Sequence, residues 1–237
     1  MAITKVTSEV LEDALTVSTI NGFGLKDLGN ASLLISQDGG TGTIDGATHN
    51  TGFGYAAFNA LTSGDYNVAL GVEALAANLG GSRNIAIGTY SLSSNQTGNY
   101  NTGCGYGTLN QNTVSQNTAI GYEALLDNTT GDNNATLGYR AGTNVTTGAN
   151  NTALGSKALQ TNTTADNNTA VGYIALGANT TGANNTAVGK SALDANTTGG
   201  SNTALGADAL SADTLGSRNV AIGTSALEVQ NFTSATN

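Results

Sequence analysis

The sequence predicts an all-β fold, a parallel β-solenoid of about eleven 17-residue coils, because one short unit is repeated along most of the chain. The unit reads Asn, usually a β-branched residue, a small residue, an apolar residue and Gly, as in residues 151–155 and 202–206. Seventeen residues are too few for a parallel crossover that carries a helix, so each copy fits one coil. The leading Asn recurs every 17 residues, with a single step of 16, at Asn50, Asn67, Asn84, Asn101, Asn117, Asn134, Asn151, Asn168, Asn185, Asn202 and Asn219.

The aligned copies assign a role to each column of the repeat. The first residue after the leading Asn is mostly a strand former, the second is mostly Ala or Gly, and the third is apolar in every copy. Alternation along a strand puts the first and third columns on one face and the small column on the other. We expect the third column to fill the interior. We expect the small column, which includes Ala69, Ala86, Ala119 and Ala153, to pack against neighbouring chains.

Each coil continues after the strand through a corner, a second apolar element and a polar turn. The invariant Gly at the fourth place suits a corner with positive φ. A column of mostly Leu follows, from Phe58 to Leu227, and predicts a second short strand. In one coil Gly142 replaces this Leu. We expect Gly142→Leu to stabilise the rod by about 1–2 kcal/mol per chain through added burial, unless Tyr139 or Val145 already fills the space.

A coil this thin buries little apolar surface alone, so we predict a homotrimer in parallel register. Stacked Asn side chains are expected to form ladders of hydrogen bonds. The formal net charge of −9 argues against a nucleic-acid partner. No stretch is long and apolar enough to predict membrane insertion, and the single Cys excludes an internal disulfide.

Residues 1–49 are predicted to form an attachment and capping segment, and residues 50–237 a β-solenoid repeat domain with a short C-terminal tail. A short helix is predicted near the start of the chain, with an apolar stripe that needs a partner surface. Its candidate docking residues are Val10, Leu11 and Leu15. Residues 30–35 look like a degraded first repeat.

The Asn-Thr-Ala-Leu-Gly unit, with Asn-Thr-Thr-Gly between copies, resembles the repeat arrays of bacteriophage tail fibre proteins. It is also similar to the head repeats of trimeric autotransporter adhesins of the YadA type. Those heads are trimeric left-handed parallel β-rolls, and the resemblance, which covers residues 50 to about 229, implies the same architecture here. Residues 1–11 look like the starts of phage fibre and other virion structural proteins.

The resemblance implies a virion structural protein, a trimeric tail fibre. Its N-terminal segment would attach to tail or baseplate proteins, and its β-roll would project towards a host cell-surface glycan or protein. A bacterial trimeric surface adhesin and a phage head decoration fibre are the alternatives. Against the adhesin pattern, we expect no export signal and no C-terminal membrane-anchor barrel. Against the pattern of long phage fibres, we expect no C-terminal chaperone or receptor-binding knob.

No catalytic, cofactor-binding or metal-binding constellation is visible, so we expect no enzyme activity and no cofactor. The only His, His49, is expected in a surface loop. No two carboxylates stand out as a glycosidase pair. The dispersed acidic residues include Asp127, Asp132, Asp166 and Asp194.

Several tyrosines fall directly after the corner Gly and are candidate surface-contact residues: Tyr55, Tyr106, Tyr122, Tyr139 and Tyr173. Such a column can stack on sugars or on a protein partner, or it can pack at the seam between chains. Cys104 stands in the apolar third column, which favours a buried free thiol over an intermolecular disulfide. A ladder of Thr152, Thr169, Thr186 and Thr203 keeps ice binding as a weaker alternative, which a thermal hysteresis assay would test.

Overall fold

The computed structural model describes residues 24–27, 33–36 and 46–230, the first two ranges by their backbone alone. It confirms the all-β parallel solenoid, and no helix occurs in these ranges. Thirteen strands form one sheet in sequence order. They are β1 (Gly24–Asp27), β2 (Leu33–Ser36), β3 (Thr51–Phe53), β4 (Val68–Leu70), β5 (Ile85–Ile87), β6 (Thr102–Cys104), β7 (Thr118–Ile120), β8 (Ala135–Leu137), β9 (Thr152–Leu154), β10 (Thr169–Val171), β11 (Thr186–Val188), β12 (Thr203–Leu205) and β13 (Val220–Ile222).

The strands β3 to β13 pair in parallel, and each residue lies beside its counterpart in the next coil, as Thr169 lies beside Thr186. These eleven strands bound about ten full turns of the solenoid. The 16-residue step keeps the same register, since Thr102 pairs with Thr118. The missing residue falls in the polar turn, where the carbonyl of Val114 accepts the Asn112 amide at 2.8 Å, two residues away instead of the usual three. The deletion therefore shortens the turn and leaves the pairing of the strands unchanged.

The N-terminal edge of the repeat array is covered by two further strands. Strand β2 pairs in parallel with β3, with Leu33 beside Thr51, and β1 pairs with β2 in the antiparallel sense. The degraded first repeat does supply a strand, although its register differs from one that would start at Asn30. The sequence analysis did not predict β1. The helix candidate with Val10, Leu11 and Leu15 lies outside the described residues.

The second apolar element of each coil is a chain of turns, so the prediction of a second short strand is wrong. The Leu residues of this column have φ close to +50°, as Leu75 (φ 50°) and Leu159 (φ 51°) do. This left-handed conformation is unfavourable for residues other than Gly. Hydrogen bonds between coils stabilise this conformation. The backbone N–H of a residue in the Leu column donates to a carbonyl of the next coil, as from Leu159 to Ala175 at 3.0 Å.

The interior is filled from the small column and the Leu column, which reverses the predicted orientation of the strands. Ala69, Ala153 and Leu159 are fully buried, whereas Leu70 and Leu137 in the third column are 36% and 51% exposed. The interior of a coil is wide enough for one Leu from the turn side, and only a small residue fits opposite it. The small column therefore cannot pack against neighbouring chains.

The predicted Asn ladder is confirmed along the whole array. At each of the ten steps the side-chain oxygen of one leading Asn accepts the backbone N–H of the next, at 2.8–3.0 Å. At three steps the side-chain amides also bond to each other, as from Asn67 to Asn50 at 3.0 Å. A buried polar column is tolerated because nearly all of its groups are paired in this way, Asn168 Nδ2 being the exception among the described residues.

A second Asn column, which opens the polar turn, is also buried. Asn162 Nδ2 donates to the carbonyl of Ala165 at 3.0 Å, and Asn179 Nδ2 donates to Asn162 Oδ1 at 2.9 Å. The Thr that follows binds between coils, since Thr163 Oγ1 donates to the carbonyl of Thr180 at 3.2 Å. The polar turns therefore contribute a second column of hydrogen bonds between the coils.

Three changes compensate one another in the coil of Gly142. A Cβ built on Gly142 would lie 3.1 Å from Thr136 Cγ2 and 3.5 Å from Val145 Cγ2. Thr136 replaces the small-column Ala and Val145 replaces the second-column Asn, and both are buried. Thr136 and Val145 therefore already fill the space, which removes the reason to expect that Gly142→Leu stabilises the rod.

We expect Gly142→Leu alone to destabilise the chain by about 1–3 kcal/mol, as overpacking of a closed core does. Leu at Gly142, where φ is 60°, would also carry the backbone penalty that the equivalent Leu residues bear in the other coils, where φ is 50–53°. The triple variant Thr136→Ala, Gly142→Leu, Val145→Asn restores the consensus packing and should regain the loss. Urea unfolding followed by circular dichroism measures both. A single variant more stable than the parent would contradict this packing.

Candidate functional site

An apolar stripe runs along the outer face of the sheet. It consists of the third-column residues Phe53, Leu70, Ile87, Cys104, Ile120, Leu137, Leu154, Val171, Val188, Leu205 and Ile222. Eight of them are large side chains between 36% and 67% exposed. At a strand spacing of about 4.8 Å, ten steps make the stripe roughly 48 Å long. A continuous apolar surface of this length marks an interaction site, unlike single exposed apolar residues.

Cys104 belongs to this stripe and is half-buried on the outer face. The prediction that it is a buried thiol inside the solenoid is wrong, because the whole column points outward. It is a free thiol in this single chain.

The predicted tyrosine column is exposed, with Tyr55, Tyr106, Tyr122, Tyr139 and Tyr173 between 44% and 50% accessible. Three of its members form a stack along the rod. The ring centroids of Tyr106 and Tyr122 are 5.2 Å apart with planes at 10°, and those of Tyr122 and Tyr139 are 5.5 Å apart at 15°. Tyr90, from the adjacent column, meets Tyr106 edge-on at 5.9 Å.

The stack limits what these rings can bind. Each ring in the stack turns its faces towards its neighbours along the rod, so the central ring presents mainly its edge and hydroxyl to solvent. Stacking of a sugar on a ring requires an open face, and Tyr122 has none. Tyr55 and Tyr173 lie outside the stack. The structure therefore does not join the five predicted tyrosines into one aromatic platform.

Charged side chains next to the stack pair with one another. Arg140 Nε lies 3.1 Å from Glu123 Oε2. A hydrogen bond to Glu123 raises the pKa of Tyr122. Burial raises the pKa of Asp127, and burial likewise raises the pKa of Asp194. These shifts follow from local packing and do not converge on a pair of carboxylates.

A second stack was missed in the sequence analysis. His49 lies on Tyr66 with ring centroids 4.6 Å apart and planes at 9°. Arg83 Cζ is 5.4 Å from the centroid of Tyr66 and 5.4 Å from that of Tyr100. All four residues stand one place before the leading Asn, in successive coils. The signal was present in the sequence as aromatic and basic residues spaced 17 apart.

Two further acidic residues, Asp166 and Asp132, do not form a pair of carboxylates. Asp166 Oδ1 accepts the backbone N–H of Ala149 at 2.7 Å. Asp132 is exposed on its turn. Within residues 24–27, 33–36 and 46–230, no group of three or more His, Cys, Asp or Glu side chains is arranged to hold a metal ion. In the same part of the chain, no helix has the length and hydropathy of a membrane span.

Comparison of the chain with protein-family models, curated proteins and solved structures gave no match.

Proposed function

We propose that the chain is the β-solenoid subunit of a homotrimeric fibre, a virion structural protein of the phage tail-fibre type. The apolar stripe carries this proposal, because it runs the length of the rod with nothing in the described chain to cover it. A second and third copy in parallel register would cover the stripe along its length, since every coil presents an apolar residue at the same height.

The number of copies and the biological setting rest on the sequence resemblance. Phage fibres and YadA-type heads with similar repeats are trimers, and the proposal extends their left-handed roll to this chain. On this proposal residues 1–49 attach the rod to a tail or baseplate protein. The coiled region projects outward and contacts a host cell-surface glycan or protein. A bacterial surface adhesin and a phage head decoration fibre share the same architecture.

Two acidic substitutions in the middle of the stripe should dissociate the trimer. Ile120→Glu with Leu137→Glu places charge where the copies would meet, and burying it unpaired is strongly unfavourable. The matched control, Thr130→Glu with Thr147→Glu, adds the same charge on exposed turns away from the stripe. Light scattering should give 70.5 kDa, three times 23.5 kDa, for the parent and the control, and 23.5 kDa for the stripe variant. A folded monomeric parent would refute the proposed trimer.

The virion role is tested separately by mass spectrometry of purified phage particles from a host that expresses the chain. Peptides from residues 46–230 should be present at a multiple of three copies per particle. Their absence from the particles, with the chain found on the bacterial envelope, would favour the adhesin alternative.

A further inference from the structure

The column one place before the leading Asn forms a continuous exposed track on the outer face, here called the polar column. Its members are His49, Tyr66, Arg83, Tyr100, Gln116, Asn133, Asn150, Asn167, Asn184, Ser201 and Arg218, and all eleven are exposed. All have φ between 56° and 65°, so the backbone turns in the same way at this place in each coil.

Arg83 is the best-positioned cation of this column. The rings of Tyr66 and Tyr100 flank its guanidinium in the coils above and below, each with the centroid 5.4 Å from Cζ. The two contacts fix the position of the charge and leave it open to solvent between the rings. In the part of the chain that the structure describes, Arg83 makes no ion pair. The carboxylate of Asp65, its neighbour in the adjacent column, accepts the backbone N–H and the hydroxyl of Thr48 at 2.7 and 2.8 Å.

The lower part of the polar column is a row of side-chain amides. Gln116, Asn133, Asn150, Asn167 and Asn184 follow one another at one per coil, roughly 4.8 Å apart. None of these side chains bonds to another residue in the described ranges, in contrast to the buried Asn ladder beside them. A side-chain amide both donates and accepts, as a sugar hydroxyl does.

We infer that the polar column from Arg83 to Asn184, which excludes Arg218, is a binding track for an acidic saccharide, with one carboxylate on Arg83 and hydroxyl groups along the amide row. The inference rests on the proposed attachment function and names the class of its ligand. A guanidinium matches a planar carboxylate through two parallel hydrogen bonds. The net charge of −9 disfavours a densely charged polyanion, so a saccharide with few carboxylates among neutral sugars fits best.

The track is compatible with the proposed trimer. It lies four residues from the apolar stripe, up to about 13 Å along the extended chain. Copies that meet along the stripe therefore leave the polar column at the rim of their contact.

The test uses the full chain, with calorimetric titration of four probes: 3′-sialyllactose against lactose, and a hyaluronan hexasaccharide against maltohexaose. At least one acidic saccharide should bind saturably, and more tightly than its neutral counterpart. Arg83→Gln should weaken that binding by about tenfold or more, as expected for the loss of a charge-assisted bidentate contact. Arg218→Gln is the matched control, because Arg218 stands in the same column without flanking rings, and should leave affinity unchanged.

Three outcomes would overturn the inference: no binding of either acidic saccharide, equal binding of the neutral ones, or equal loss in the Arg83 and Arg218 variants. Tyr100→Asn provides a second variant, since Asn occupies this column in four other coils, and it should also weaken binding. The mass of each variant is measured in parallel. A trimer that fails to bind refutes the saccharide track alone, whereas a monomeric parent refutes the fibre.

Discussion

Gly155→Ala is expected to destabilise the solenoid by about 3 kcal/mol or more, although it adds only one methyl group. A Cβ on Gly155 would lie 2.4 Å from the carbonyl oxygen of Gly172 in the next coil. Both groups belong to the backbone, so no side-chain rotation relieves the contact. Gly is therefore required at the corner for two reasons: consecutive coils are in contact there, and the backbone has a positive φ.

Gly223→Ala separates these two reasons. Gly223 is the corresponding corner after β13, with φ 123° against 140° at Gly155, and none of the described residues lies within 4 Å of its added Cβ. Its substitution should carry only the conformational penalty, about 1–2 kcal/mol. Urea unfolding of both variants gives the comparison. Equal losses would show that the positive φ alone, and not the contact between coils, requires Gly at the corner.

Asn67→Ala is expected to destabilise the chain by about 2–5 kcal/mol, because it leaves buried backbone groups in two coils without partners. Asn67 Nδ2 donates to the carbonyl of Gly81 at 2.8 Å and to Asn50 Oδ1 at 3.0 Å. Its Oδ1 accepts the backbone N–H of Asn84 at 2.8 Å. The Ala variant also removes side-chain volume from a closed interior.

Two comparisons make this prediction specific. Asn168→Ala should cost less, because Asn168 Nδ2 has no partner among the described residues and only its Oδ1 is engaged, with the N–H of Asn185 at 2.9 Å. Asn150→Ser, on the exposed polar column, should have an effect near zero, since Ser201 occupies the equivalent place. A ranking that does not follow the number of lost hydrogen bonds would contradict the role assigned to the ladder.

The repeat columns were predictable because a residue that recurs at one place in every coil reveals its environment. The leading Asn, the corner Gly and the strand beginning after the Asn all follow from the 17-residue period. The orientation of the strand was not predictable in the same way. Alternation separates two faces, but the width of the coil decides which face is inside, and Leu159 on the turn side leaves room only for Ala153 opposite.

The turn-side Leu column misled the sequence reading because Leu at φ near +50° contradicts ordinary backbone preference. Hydrogen bonds to the next coil override that preference, and these are visible only once the coils are stacked. The tyrosine column is exposed in the single chain, and its role as a contact surface or as a seam between chains stays a prediction. The stack of His49, Tyr66, Arg83 and Tyr100 was missed because the columns were read from the leading Asn onward.

The in-register pairing of β3 to β13 has a consequence for how the chain folds. Partners along this array are separated by 16 or 17 residues, about 0.07 of the 237-residue chain. That ratio is in the range of helical bundles, whereas sandwiches and barrels of β-strands pair residues much further apart. Each coil needs only its neighbour as a template, so order can spread from any nucleus in both directions. The rod is a β-protein whose strand partners are as close in sequence as the contacts of a helical bundle.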